Sequence, residues 1–170
     1  MDDGEVTLRP LEVSDIDHFM IWATDDQVSR YCVWNTYTSK EDGIKYIESL
    51  SSHPWQRAIC LNGKPIGAIA VEPNTGPDAC RAQVGYVLAA EYWGKGIVTI
   101  VVKMVCDQIF REWLHLERLE ALVDVDNLRS QRVLEKAGFL KEGVLRKYSA
   151  LKGRIRDIAM FSFLRADISG

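Results

Sequence analysis

Two glycines one residue apart, Gly94 and Gly96, stand at the head of a strongly apolar run in the stretch EYWGKGIVTIVVKMVCDQIF, residues 91–110. Their chemistry is that of an anion site. Val98, Val101, Val102, Val105 and Ile109 recur at helical spacing while Lys103, Asp107 and Arg111 share another face, so the run reads as an amphipathic helix. Its first turn has backbone N–H groups without intrahelical partners, and the aligned peptide dipoles add partial positive charge there. Glycines just upstream let the backbone bend so that these donors converge on a phosphate, with no Cβ in the way. A plain strand-to-helix turn would call for the same glycines, so the pair alone leaves both readings open. Two familiar nucleotide motifs are absent. No Gly-Lys-Ser/Thr follows for a Walker loop, and Thr99 takes the third glycine's place in G-x-G-x-x-G.

A second element follows in DVDNLRSQRVLEKAGFLKEG, residues 124–143. Asn127 suits a helix N-cap, and Gly138 before Phe139 suits a helix stop, with glycine in the left-handed position and an apolar residue packing back. Metal chemistry finds no such pattern. Cys32, Cys60, Cys80 and Cys106 lie far apart and the three histidines are scattered, so zinc spacing is missing and buried free thiols are expected. With no histidine near Cys80 or Cys106 in sequence, a cysteine nucleophile is disfavoured.

The elements that must carry these residues can be read from patterning. At 170 residues, 47% hydrophobic and 26% charged, the chain has material for one core, and a single domain spanning 1–170 is expected. Net charge is −3 with basic residues spread along the chain, which leaves no nucleic-acid footprint. The acidic start MDDGEVTLRP does not read as a secretory signal, and no run reaches the ~18 apolar residues of a membrane span. The expected setting is a reducing, cytoplasmic one, with the nucleus equally open. VTLRPLEVSDIDHFMIWA reads as strand then helix, with Ser14 and Asp17 in a capping-box spacing; Ser39 opens a second helix bearing Ile44, Ile47 and Leu50. Asn62 and Gly63 predict a hairpin turn between two strands. A further strand ends in Val87 and Leu88, directly before the glycine turn. After the long helix come a strand, the Asn127 helix, and two strands joined near Gly153.

YWGKGIVT opening a long helix, then a strand followed by NLRSQRVLEKAGF and EGVLRKY, resembles the GNAT superfamily of acyl-CoA-dependent N-acyltransferases, in its RimJ/RimL-like branch. The likeness runs from VTLRPLEVSD to GRIRDIAMFSFL. It implies an α/β (α+β) fold: a mixed, mostly antiparallel sheet flanked by helices, in which two parallel strands, here 82–88 and 117–124, splay to admit acetyl-CoA. It further implies that the backbone of Gly94, Lys95, Gly96, Ile97, Val98 and Thr99 holds the diphosphate. Val87 and Leu88 then run alongside the pantetheine arm, and Asn127 contacts the cofactor. No metal is implied.

The sequence departs from the family pattern in places. Trp93 and Val98 stand where the superfamily's glycine turn has Gln/Arg and Gly/Ala. Gln83 stands where many relatives carry a glutamate, and an amide cannot act as a general base. Leu134 replaces a tyrosine that often protonates the departing thiolate, which leaves Ser130 and Tyr148 as candidate catalytic groups. At pH 7 an α-amine with a pKa of about 7.8 is about 10–15% neutral, whereas a lysine amine is only about 0.04% neutral. Weak acid–base equipment thus leans towards a protein or peptide N-terminus, acetylated by direct transfer in a ternary complex. Two alternatives accompany this. A small amine such as a polyamine or aminoglycoside would need converging carboxylates, for which Asp2, Asp3, Glu72, Asp78, Asp124 and Asp126 are candidates. A non-catalytic acyl-CoA-binding module would explain Gln83 and Leu134. The partners expected are thus acetyl-CoA and an amine, with no nucleic acid or membrane, for a monomer or homodimer.

Overall fold

The structure is a computed structural model that describes residues 4–168. A seven-stranded sheet has the order β1-β2-β3-β4-β5-β7-β6. The strands are β1 (Val6–Arg9), β2 (Gln56–Leu61), β3 (Lys64–Pro73), β4 (Arg81–Leu88), β5 (Arg118–Asp124), β6 (Leu140–Leu151) and β7 (Arg154–Leu164). The helices are α1 (Ile16–Ala23), α2 (Asp26–Ser29), α3 (Lys40–Ser49), α4 (Ile97–Glu112) and α5 (Leu128–Lys136). Pairing is antiparallel throughout β1–β2–β3 and β5–β7–β6, and parallel between β4 and β5. The chain divides into two compact units, Met1–Ala70 with Tyr86–Ile97 and Val71–Gly85 with Val98–Gly170.

The first unit holds β1, β2, α1 to α3 and parts of β3 and β4. Its core gathers Phe19, Trp22, Ala23, Ile47 and Ala58, with Tyr37 and Trp93 packed against it. Phe19 meets Trp22 and Tyr37 edge-on at 5.5 Å between ring centroids. Trp22 is 1% exposed, so truncating it to alanine would cost about 3–5 kcal/mol. The Ser39 side chain accepts from the Asp42 N–H and starts α3 as expected. The box expected at Ser14 and Asp17 instead lies at Glu12 and Asp15, one 3-10 turn ahead of α1, because Asp15 is drawn into a bidentate pair with Arg9 at 2.7 and 2.9 Å. Asp17 pairs with Lys40 at 2.9 Å. Asn62 and Gly63 take φ of 51° and 80° at the β2–β3 turn, the left-handed values their residue types favour.

In the second unit, α4 buries Val101, Val102, Val105, Cys106, Ile109 and Phe110 and exposes Lys103, Asp107 and Arg111, the stripe its spacing predicts. The end of α5 closes as expected: Gly138 has φ 96°, its N–H donates to the Glu135 carbonyl, and the Phe139 N–H reaches back to Leu134 at 2.9 Å. Of the four cysteines, Cys60 and Cys106 are buried, Cys32 is half-buried and Cys80 is exposed, so burial of the thiols holds for two. All four are free.

Candidate active site

The glycine turn has the shape its residue types call for. Gly94 and Gly96 take φ of +75° and +77°, a region that side chains with a Cβ rarely adopt, and a Cβ built on either would have no heavy atom within 4 Å. Space in front of the turn is therefore open. Among the described residues, no loop or cap hydrogen bond uses an N–H from Gly94 to Thr99 as donor, and α4 begins at Ile97, so its first-turn donors have no partner four residues back. With 16 residues behind it, that turn carries a substantial dipole. Lys95 is exposed with Nζ 5.4 Å from the centre of the Tyr92 ring. These residues fit a diphosphate: first-turn donors without a loop or cap partner, a nearby cation and open space in front of both glycines.

At the end of β4, Val87 is half-buried and Leu88 is buried. The main chains of β3 and β4 come very close here. A Cβ on Gly67 would lie 2.2 Å from the Val87 carbonyl oxygen, so only glycine fits. The Ala89 N–H donates to the Ile66 carbonyl at 2.8 Å, and the Trp93 indole N–H donates to the Leu88 carbonyl at 2.8 Å. Trp93 thereby ties the glycine turn to the strand that precedes it, a role that its place in the sequence did not reveal.

Strands β4 and β5 pair over Arg81↔Arg118, Ala82↔Leu119 and Gln83↔Glu120. No later pair joins them among the described residues, although β4 runs on to Leu88 and β5 to Asp124. Beyond β5, the Asn127 carboxamide oxygen accepts from the Ser130 N–H at 3.3 Å and caps α5, which leaves its NH₂ group to donate elsewhere. Ser130 is half-buried in the first turn of α5, and Tyr148 is exposed on β6.

The carboxylates at this end of β5 share one arginine. Arg156 donates to both oxygens of buried Asp124, at 2.7 and 2.8 Å, and to Asp126. The guanidinium holds the Asp124 carboxyl below the usual range. Asp78 pairs with Arg81 at 3.5 Å. Asp2 and Asp3 lie outside the described residues. Gln83 is exposed, and the carboxylate beside it in register, Glu120, is bonded by Arg118 at 2.9 Å and Arg81 at 3.4 Å. Leu134 is wholly buried, as a core residue would be. Burial pushes the Cys106 thiol up to about 12, so almost none of it is thiolate at neutral pH.

Comparison with known proteins decides the family. The model of the Acetyltransferase (GNAT) domain matches residues 5–140. This chain belongs to the GNAT family. YdaF of Bacillus subtilis, described as a candidate ribosomal N-acetyltransferase, is 34% identical over 97% of this chain and 94% of its own. Spermidine N(1)-acetyltransferase of Escherichia coli is 28% identical over 89% of this chain and 82% of its own. RimL, the ribosomal L7/L12 alpha-N-protein acetyltransferase solved with coenzyme A, superposes with a TM-score of 0.82 at 20% identity, covering 95% of each chain, which shows the shared fold. The GNAT chain is thus an acetyl-CoA-dependent acyltransferase of the RimJ/RimL-like branch, and a module without transfer chemistry is set aside. Among the described residues no group of His, Cys, Asp and Glu could hold a metal ion, and no helix is long and apolar enough to cross a membrane.

Proposed function

We propose that the acceptor is the α-amine of a protein or peptide N-terminus, acetylated by direct transfer in a ternary complex. The observation that carries this reading is that neither member of the last β4–β5 register pair offers a free carboxylate base: Gln83 is an amide, and Glu120 has its oxygens bonded by two arginines. An α-amine needs the least help, since roughly a tenth of it is neutral at pH 7. The uncommitted N–H groups of Gly94 to Thr99, with Lys95, bind the diphosphate; Val87 and Leu88 line the pantetheine arm; and the Asn127 carboxamide donates to it. When bound, acetyl-CoA supplies an acetyl thioester. The neutral amine nitrogen forms the new C–N bond as the C–S bond breaks; the nitrogen gives up one proton to water and the departing thiolate takes one up, so the step is balanced. A backbone N–H of β4 near Leu88 holds the acetyl oxygen. Ser130 and Tyr148 are the hydroxyls assigned to protonate the thiolate, and residues 1–170 act as one N-acetyltransferase domain.

A polyamine acceptor finds less support, because three of its six candidate carboxylates, Asp78, Asp124 and Asp126, are paired with arginines, while Glu72 is exposed. Mass spectrometry after incubation with acetyl-CoA and a mixed panel of peptides and small amines tests the proposal. Acetylated peptide N-termini are expected; modification of spermidine alone would overturn it. Ser130→Ala and Tyr148→Phe should each lower kcat with coenzyme affinity intact, and full turnover in both would remove them from the mechanism.

A further inference from the structure

The β6–β7 hairpin extends past the end of β5. The last register pair of β5 with β7 is Asp124↔Ile158, whereas β6 and β7 continue through Ser149↔Arg156, Ala150↔Ile155 and Leu151↔Arg154. Because β4 and β5 are parallel, the hairpin projects from the edge of the sheet towards which both strands run after their pairing ends. Its charge is one-sided. Between positions 146 and 156 stand Arg146, Lys147, Lys152, Arg154 and Arg156, with no carboxylate among them, in a chain whose net charge is −3. Arg156 is occupied by Asp124 and Asp126, and Arg154 is near enough to help lower the Asp124 carboxyl. Arg146, Lys147 and Arg154 are exposed.

A built-in irregularity presents these charges. From Leu145↔Ile158 to Ser149↔Arg156, β6 advances four residues while β7 advances two, so Arg146, Lys147 and Tyr148 fall in a bulge. Lys147 takes φ 49°, in the left-handed region, and its N–H is held by the Asp157 carboxylate at 2.8 Å. A regular ladder would have paired these residues along the edge; the bulge takes them out of register beyond the end of β5.

Resting on the N-terminal acceptor reading, we propose that this hairpin selects acceptors whose residues after the reacting amine are acidic. Arg146, Lys147 and Arg154 face the acceptor's carboxylates, while Arg156 offsets part of the negative charge of Asp124 and Asp126, and Asp157 is engaged by the Lys147 N–H, so that positive charge predominates along the hairpin. A polycation would be repelled by the same arrangement.

The test uses three peptides with one common first residue, followed by acidic, neutral or basic residues. For the intact protein at low salt, kcat/KM should favour the acidic over the neutral peptide by about tenfold, the sum of a few exposed charge pairs, and the basic peptide should be poorest. The preference should shrink in ~0.5 M salt. In the triple variant Arg146→Gln, Lys147→Asn, Arg154→Gln, where asparagine suits the left-handed backbone, the preference should disappear while acetyl-CoA affinity by calorimetry and Tm are kept. Equal rates for all three peptides, an unchanged preference in the variant, or a parallel loss of coenzyme affinity would overturn the inference, the last by assigning the charges to the coenzyme's phosphates. Anisotropy with an acidic peptide labelled at its C-terminus separates the two readings. Binding that the variant loses, with no peptide acetylated, supports the hairpin's role and defeats the N-terminal acceptor.

Discussion

The two ends of α4 pose the same physical problem and answer it in opposite ways. Each end of a helix leaves backbone groups without intrahelical partners. At the C-terminal end, Arg165 closes the account from within: its Nε, Nη1 and Nη2 donate to the carbonyls of Leu116, Phe110 and Trp113 at 2.8, 2.9 and 2.8 Å, and its guanidinium lies 5.2 Å from the Phe110 ring centre. At the N-terminal end, Gly94 to Thr99 offer donors, and among the described residues no loop or cap bond takes them. One terminus is finished by the fold. The other stays open, and the glycines keep the way to it clear.

Breaking the closed end should have the largest effect. Arg165→Ala removes three charge-assisted bonds and should lower unfolding free energy by about 3 kcal/mol in a denaturant titration, with coenzyme affinity per folded molecule unchanged. Breaking the open end reverses the pattern. Gly96→Val forces a branched side chain into a left-handed turn at the ligand's approach, and calorimetry should show coenzyme A binding weakened about a hundredfold, some 2.7 kcal/mol. Stability should fall by less, and unchanged affinity would remove the diphosphate role from the turn. Asn127→Ala should cost about 1 kcal/mol through loss of the α5 cap, together with weaker coenzyme binding if its carboxamide also donates to the cofactor.

The smallest effect at neutral pH is electrostatic, and it emerges only in acid. Two carboxylates at opposite ends of β5 are held below their ordinary values: Asp124 by Arg156, and Glu142 by Arg118 and Ser162, down to about 2. Each binds its proton less tightly folded than unfolded, so its contribution is complete above the unfolded pKa, about 4 for such groups, and is lost as pH falls through the folded value. Thermal melts should therefore be level near neutrality and decline below about pH 4. Arg156→Gln should remove the Asp124 part of that decline, and an identical acid limb in this variant would contradict the pairing.

What could be read in the sequence was local. The Asn62–Gly63 turn, the Ser39 and Asn127 caps, the Gly138 stop and the apolar stripe of α4 each rest on residues within a few positions of one another, where residue type fixes backbone geometry directly. The strand pairs that splay were legible through family resemblance, since no local signal separates a strand that pairs along its whole length from one that stops at Gln83. Contacts spanning long separations were hidden. Arg165 reaches Phe110 across 55 positions and Arg156 reaches Asp124 across 32, and nothing in their neighbours marks them off from ordinary surface arginines. The bulge at Lys147 was equally silent, because lysine carries no preference for a left-handed backbone. The shifted capping box shows a tertiary pair, Arg9 with Asp15, overriding a local signal at Ser14.

Gly67 sets a different kind of limit. A library of single substitutions would find that position nearly closed, since even one methyl group must displace the Val87 carbonyl from 2.2 Å and with it the last residues of β4. Gly63 and Gly153, whose missing side chains would point into empty space, should tolerate asparagine. Variants that trade acceptor preference should therefore accumulate along the hairpin, leaving this one crossing of main chains untouched.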